Sequence, residues 1–125
     1  MKLASMRFAN AIVLSPAGRI DHETAEDFRE TLLAQIATCA GGQDHVVLDL
    51  SAVEYIASAG LRALMLAARQ AKAKGGRLVV TALQPVVKEV FDITRFALVL
   101  EVFPSLREAL AALSEQAAAE YARPA

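Results

Sequence analysis

Tryptophan is missing from these 125 residues, cysteine occurs once, and there are only two histidines and four prolines. A single cysteine, Cys39, excludes an internal disulfide and most metal sites. His22 and His45 are far from it and form no ligand cluster, so neither a metal nor another cofactor is expected. Charge of one sign is also missing: 13 basic residues stand against 14 acidic ones, with no basic block. Nucleic-acid binding therefore lacks its electrostatic footprint. No apolar run reaches the ~18 residues of a membrane span. Arg7 and Asn10 interrupt the apolar stretch that a signal peptide would need. A cytoplasmic protein with no direct membrane insertion is the expectation. There is also no Walker-type glycine loop to cradle a nucleotide phosphate.

What is present is apolar patterning. Hydrophobic residues make up 55% of the chain, enough for one domain with its own core over residues 1–125. AIVLS, residues 11–15, reads as a strand, and KLASMRF as its hairpin partner through a turn near Ala9-Asn10. From Asp21 the period changes. Ala25, Phe28, Leu32, Ile36 and Cys39 recur at three or four, the mark of an amphipathic helix, which Gly41-Gly42 closes. Cys39 on that face reads as a packing residue. VVLDL, 46–50, suits a strand covered on both faces. Residues 59–74 have strong helix composition, with Leu61, Leu64, Met65, Ala68 and Ala71 as the buried stripe and Gly75-Gly76 as the stop. RLVVT predicts another strand, and Pro85 opens the helix PVVKEVFDIT. ALVLEV, 97–102, reads as a closing strand. Ser105 and Glu108 then have capping-box spacing ahead of a final helix, which the last residues, 116–125, extend or fray from. The expected fold is α/β: a small mixed sheet flanked by about four helices, an N-terminal hairpin followed by alternating strands and helices.

The stretch VEYIASAGLRAL, 53–64, places Ser58 at a strand-to-helix seam. As an N-cap, its hydroxyl would accept a bond from a free backbone N–H of the first turn. As a nucleophile it would need a glycine two positions earlier, which ASAG lacks, and a His-Asp base that nothing announces. No catalytic residue is expected, and the chain does not read as an enzyme. As a phosphate site it has more to offer, because a helix start favours an anion and Ala59 and Gly60 keep side chains clear. Asp49, near a strand end, reads as a loop-organising acid rather than a phosphoacceptor, since the acidic pair of a receiver domain is absent.

Several segments together resemble the STAS domains, and within them the stand-alone anti-sigma factor antagonists of bacteria. VLSPAGRIDHETAEDFRETL is similar to that family's strand, Gly-x-Ile/Leu-Asp turn and first helix. VVLDLSAVEYIASAGLRAL is similar to its signature, and VVKEVFDITRF and VFPSLREAL to its closing helices, over residues 8–115. The resemblance implies a binding module that docks on an anti-sigma factor serine kinase when unphosphorylated and so frees the sigma factor. Phosphorylation at Ser58 would end the docking, and a serine phosphatase would restore it. It implies a partner-facing set of Asp21, Thr24, Ala57, Ser58, Ala59, Gly60 and Arg62. Asp21 reads equally as a helix N-cap. Ala57 stands where many members have Asp. Other STAS domains serve without phosphorylation in lipid- or anion-transport assemblies at membranes, and that role is the alternative.

Overall fold

The computed structural model describes residues 3–37 and 44–123. The hairpin forms as expected: β1 (Ala4–Phe8) runs antiparallel to β2 (Ala11–Ser15). A chain pairing with β2 on its other side must be buried on both faces, and β4 (His45–Asp49) supplies Val46, Val47 and Leu48, all buried. β6 (Leu78–Thr81) and β7 (Val102–Phe103) complete a five-stranded sheet in the order β1-β2-β4-β6-β7, parallel from β2 onward.

Strand alternation divides the core in two. Ile12, Leu14, Val46, Leu48, Leu78 and Val80 face α1 (Ala25–Ala37), α2 (Ser58–Ala73) and α3 (Pro85–Ile93). Ala11, Val13, Val47 and Val79 face α4 (Leu106–Leu113) and α5 (Glu115–Ala122). Helices on both sides account for the nearly unbroken apolar strands, because neither face is left to water.

The helix faces follow the apolar period. Ala25, Phe28, Leu32 and Ile36 are buried on α1; Cys39 and Gly41-Gly42 lie outside the described residues. On α2 the buried face is Gly60, Leu61, Ala63, Leu64, Ala67 and Ala71, while Met65 and Ala68 are only half-buried. The stripe is therefore rotated toward α1, which packs beside α2. After α2, Gly75 adopts φ +85° and Gly76 passes under Asp44, whose carbonyl oxygen lies 1.9 Å from where a Cβ would be. No side chain fits there.

Beside this shift of the α2 stripe, two further expectations are corrected. The closing strand does not span 97–102 but is reduced to Val102–Phe103: Arg95 takes a left-handed turn and Phe96–Leu98 form a 3-10 turn. This lets Phe96 pack edge-on against Phe91 at 5.3 Å and buries Leu100, leaving Val102 and Phe103 to pair with β6. Packing of one ring outweighs strand propensity over this short run. Among the described residues the α-helices number five, in keeping with the expected mixed sheet flanked by about four. Ser114 ends α4 and caps α5 by accepting the Ala117 N–H, so residues 115–122 form a separate helix whose Tyr121 meets Phe8 edge-on.

Candidate functional site

The third correction concerns Ser58 itself. Two short strands that the apolar pattern does not announce, β3 (Gly18–Ile20) and β5 (Val53–Ile56), pair in parallel as a minor sheet. Arg19 lies over the Tyr55 ring at 4.7 Å on this ribbon. The pairing runs to Ile20 and Ile56, and one further bond, from the Ala57 N–H to the Ile20 carbonyl at 2.7 Å, keeps Ala57 extended. Ala57 thereby becomes the N-cap of α2, and Ser58 is its first helical residue. No side chain caps this helix. The Ser58 hydroxyl is exposed and bonds no group among the described residues. A side chain at the first helical position points away from the free N–H groups that a cap would satisfy.

Asp21 leaves β3 beside this point, one residue beyond the same inter-strand bond. Its Oδ1 accepts the N–H groups of Glu23 at 3.0 Å and Thr24 at 3.2 Å. Thr24 replies: its hydroxyl accepts the Asp21 N–H at 3.0 Å and donates to the Arg19 carbonyl at 2.9 Å. This reciprocal pair leads the chain from β3 into α1, as a capping box does. Partial desolvation pulls the Asp21 carboxyl upward, but the bonds from Thr24 and Glu23 and the charge of Arg19 outweigh it and hold the group below its ordinary value. Thr24 is thus structural in its hydroxyl.

Gly60 sits in the first turn of α2, buried against the minor sheet. A Cβ here would lie 2.7 Å from both Ile20 Cγ2 and Ile56 Cγ1. The glycine is needed for close approach of helix to ribbon. Beyond it, Ala59 and Arg62 face a groove of about 360 Å³ between α1 and α2, with His22, Glu26, Arg29 and Leu66 on its other walls. Arg29 and Glu26 are ion-paired there, and the guanidinium holds the Glu26 carboxyl below its ordinary value.

Of the expected set, Asp21, Ala57 and Ser58 meet at the ends of the minor sheet, and Ala59 and Arg62 open onto the adjoining groove. Gly60 and the Thr24 hydroxyl support that surface from behind. Sequence reading missed Glu26, Arg29 and Leu66. Their signal is period: Glu26 and Arg29 are three apart, as are Ala59 and Arg62, each pair beside a buried stripe. Asp49 does organise its loop, accepting the Ser51 N–H at 3.0 Å. Among the described residues no group of three or more His, Cys, Asp or Glu is placed to hold a metal, and no helix is long and apolar enough to cross a membrane.

A family model of the STAS domain matches residues 5–109. The chain belongs to the STAS domain family. BtrV of Bordetella bronchiseptica, a candidate anti-sigma factor antagonist, is 39% identical over 114 residues, spanning 90% of this chain and 93% of that protein. An anti-sigma factor antagonist from Mycobacterium paratuberculosis shares 27% identity and superposes with a TM-score of 0.78, over 90% of this chain and 92% of that one. The Bacillus cell-fate determinant SpoIIAA in its phosphorylated form has the same fold, with a TM-score of 0.63 at 16% identity over 90% of this chain and 100% of that one. In this STAS domain the surface around Ser58 is therefore built from the minor sheet and the starts of α1 and α2.

Proposed function

We propose that this STAS domain is an anti-sigma factor antagonist. Unphosphorylated, it docks on an anti-sigma factor serine kinase through Ser58 and the α1–α2 groove, and the sigma factor is released. Phosphorylation of Ser58 by that kinase ends the docking, and a serine phosphatase resets it. The observation that carries this reading is the exposed, unbonded Ser58 hydroxyl on an uncapped helix start. A hydroxyl tied up as a cap would be a poor phosphoacceptor; this one is presented. The relative at 39% identity, matched over nearly its whole length, supports the role.

The chemistry of release follows from charge. A phosphoserine carries about −1.5 to −2 charges at pH 7. Set into a docked surface, that charge must be desolvated without a matched partner, which costs far more than a neutral hydroxyl does. Ala57 neither screens Ser58 nor adds an acid of its own, so the switch charge at the seam would come from the phosphate alone. No turnover by the STAS domain itself enters this scheme.

The test is capture from native cell extract with the unphosphorylated protein, followed by incubation of the captured complex with ATP and mass analysis. Recovery of a serine-kinase anti-sigma factor, with phosphate found on Ser58, is the expected result. Recovery of membrane-transport subunits instead, with Ser58 unmodified, would overturn it in favour of a transport-assembly role.

A further inference from the structure

The other flank of α2 carries a second concave surface, away from the Ser58 groove. Met65, Ala68, Phe96, Val99 and Leu100 form the apolar walls of a hollow of about 250 Å³ between α2 and the 3-10 turn. Its polar lining is cationic: Arg69 and Lys72. A second hollow shares Ala68, Lys72, Val99 and Leu100 and continues toward Arg77 and Glu101, so the two form one groove. Glu101 is taken by Arg77, which bonds it through Nε at 3.1 Å and through its terminal nitrogen. Arg69 and Lys72 form no ion pair or side-chain hydrogen bond among the described residues.

Two features of this groove ask for an occupant. Val99 is 64% exposed although it lines both hollows, so apolar surface stands open to water. Two cations at the rim of an apolar slot, with the nearby acid neutralised, complement a ligand with one anionic end and one apolar end. The size sets the tail. At about 30 Å³ per water-sized volume, the first hollow holds roughly eight heavy atoms.

We propose that this groove binds a free monocarboxylate with a chain of about eight carbons, by the volume just given. The tail lies against Met65, Phe96 and Val99, and the carboxylate faces Arg69 and Lys72. The site shares no lining residue with the Ser58 groove, and its occupancy does not depend on the phosphorylation scheme.

Octanoate is the probe, titrated into the full-length protein and followed by methyl and amide NMR shifts. The expected result is saturable binding with shifts centred on Met65, Ala68, Val99 and Leu100. Octylamine and octan-1-ol, which match its chain length without the anion, should bind at least about tenfold more weakly. The double variant Arg69→Glu/Lys72→Glu should lose affinity for octanoate by a similar factor, with an unchanged melt. Val99→Asp, which places a like charge in the wall, should lose it independently. No saturable shift, equal binding of octan-1-ol, or octanoate binding indifferent to charge reversal would each overturn the proposal. So would capture by phosphatidylglycerol vesicles or by an acidic amphipathic peptide in the absence of octanoate binding.

Discussion

Two strand-to-helix seams in this molecule carry a serine, and they use it differently. Where β7 meets α4, Ser105 is the N-cap and its Oγ accepts the Glu108 N–H at 3.2 Å. Where β5 meets α2, the cap position belongs to Ala57 and the serine sits one residue inside the helix, exposed. The difference is one residue of register, imposed by the Ala57–Ile20 bond that prolongs the minor sheet. The α4 seam uses its hydroxyl for stability. The α2 seam leaves its hydroxyl available and forgoes a cap, an arrangement expected where function rather than stability sets the local choice.

The sharpest way to break this contrast is to charge both serines. Ser58→Asp places a carboxylate in the proposed docking surface, and affinity for the proposed anti-sigma factor kinase should fall at least about tenfold, or about 1.4 kcal/mol. Ser105→Asp keeps a good cap on the far side of the sheet and should leave affinity unchanged. Calorimetric titration of both variants decides the matter; equal affinities would remove Ser58 from the switch.

Removing the hydroxyls should reverse the order of effects. Ser105→Ala deletes a cap and should cost about 1 kcal/mol in chemical denaturation. Ser58→Ala deletes no bond and should stay within about 0.5 kcal/mol of wild type, while resisting phosphorylation. A cost at Ser58 as large as that at Ser105 would show that the hydroxyl caps the helix in solution.

Supplying the missing cap tests the same contrast from the other side. Ala57 has φ −86° and ψ 169°, the extended geometry of a capping residue. Ala57→Asp should therefore stabilise the fold by about 0.5–1 kcal/mol, measured by denaturant midpoint at constant slope. A loss of stability would mean that the buried environment of Ala57 outweighs the cap.

The smallest expected effect concerns Asp21. Its carboxyl is held below the ordinary 3.8 in the folded protein, so the unfolded chain binds the proton more readily. The stability it contributes is present above pH 3.8 and is lost as pH falls through the folded value. Asp21→Asn should flatten this part of the acid-unfolding profile. A profile unchanged by the substitution would place the acid sensitivity in other carboxylates.

Much of the fold was legible in the chain because its signals are local. Phe28, Leu32 and Ile36 announce α1 by period, Ser105 and Glu108 announce the start of α4, and the apolar run at 46–50 announces a strand covered on both sides. The closing strand was misread because ALVLEV satisfies strand composition equally well as a 3-10 turn that delivers Phe96 to Phe91. The minor sheet was not legible: three and four residues are too few to show a period, and their pairing partner is more than thirty residues away. Ser58, Asp21 and Arg62 could be nominated by resemblance, but their arrangement could not. Arg69 and Lys72 offered no signal as a pair, since their apolar neighbours come from a turn that the pattern assigns to a strand.

By itself, then, the sequence determined the buried face of α1, where glycine and proline interrupt the chain, and the serine cap that opens α4. Those are choices of side chain against backbone over a few residues, and one strand or helix settles each. Only the tertiary structure decided the register of the helix start. The bond between Ala57 and Ile20 joins segments distant in sequence, and moving the helix by one position converts a capping serine into a presented one.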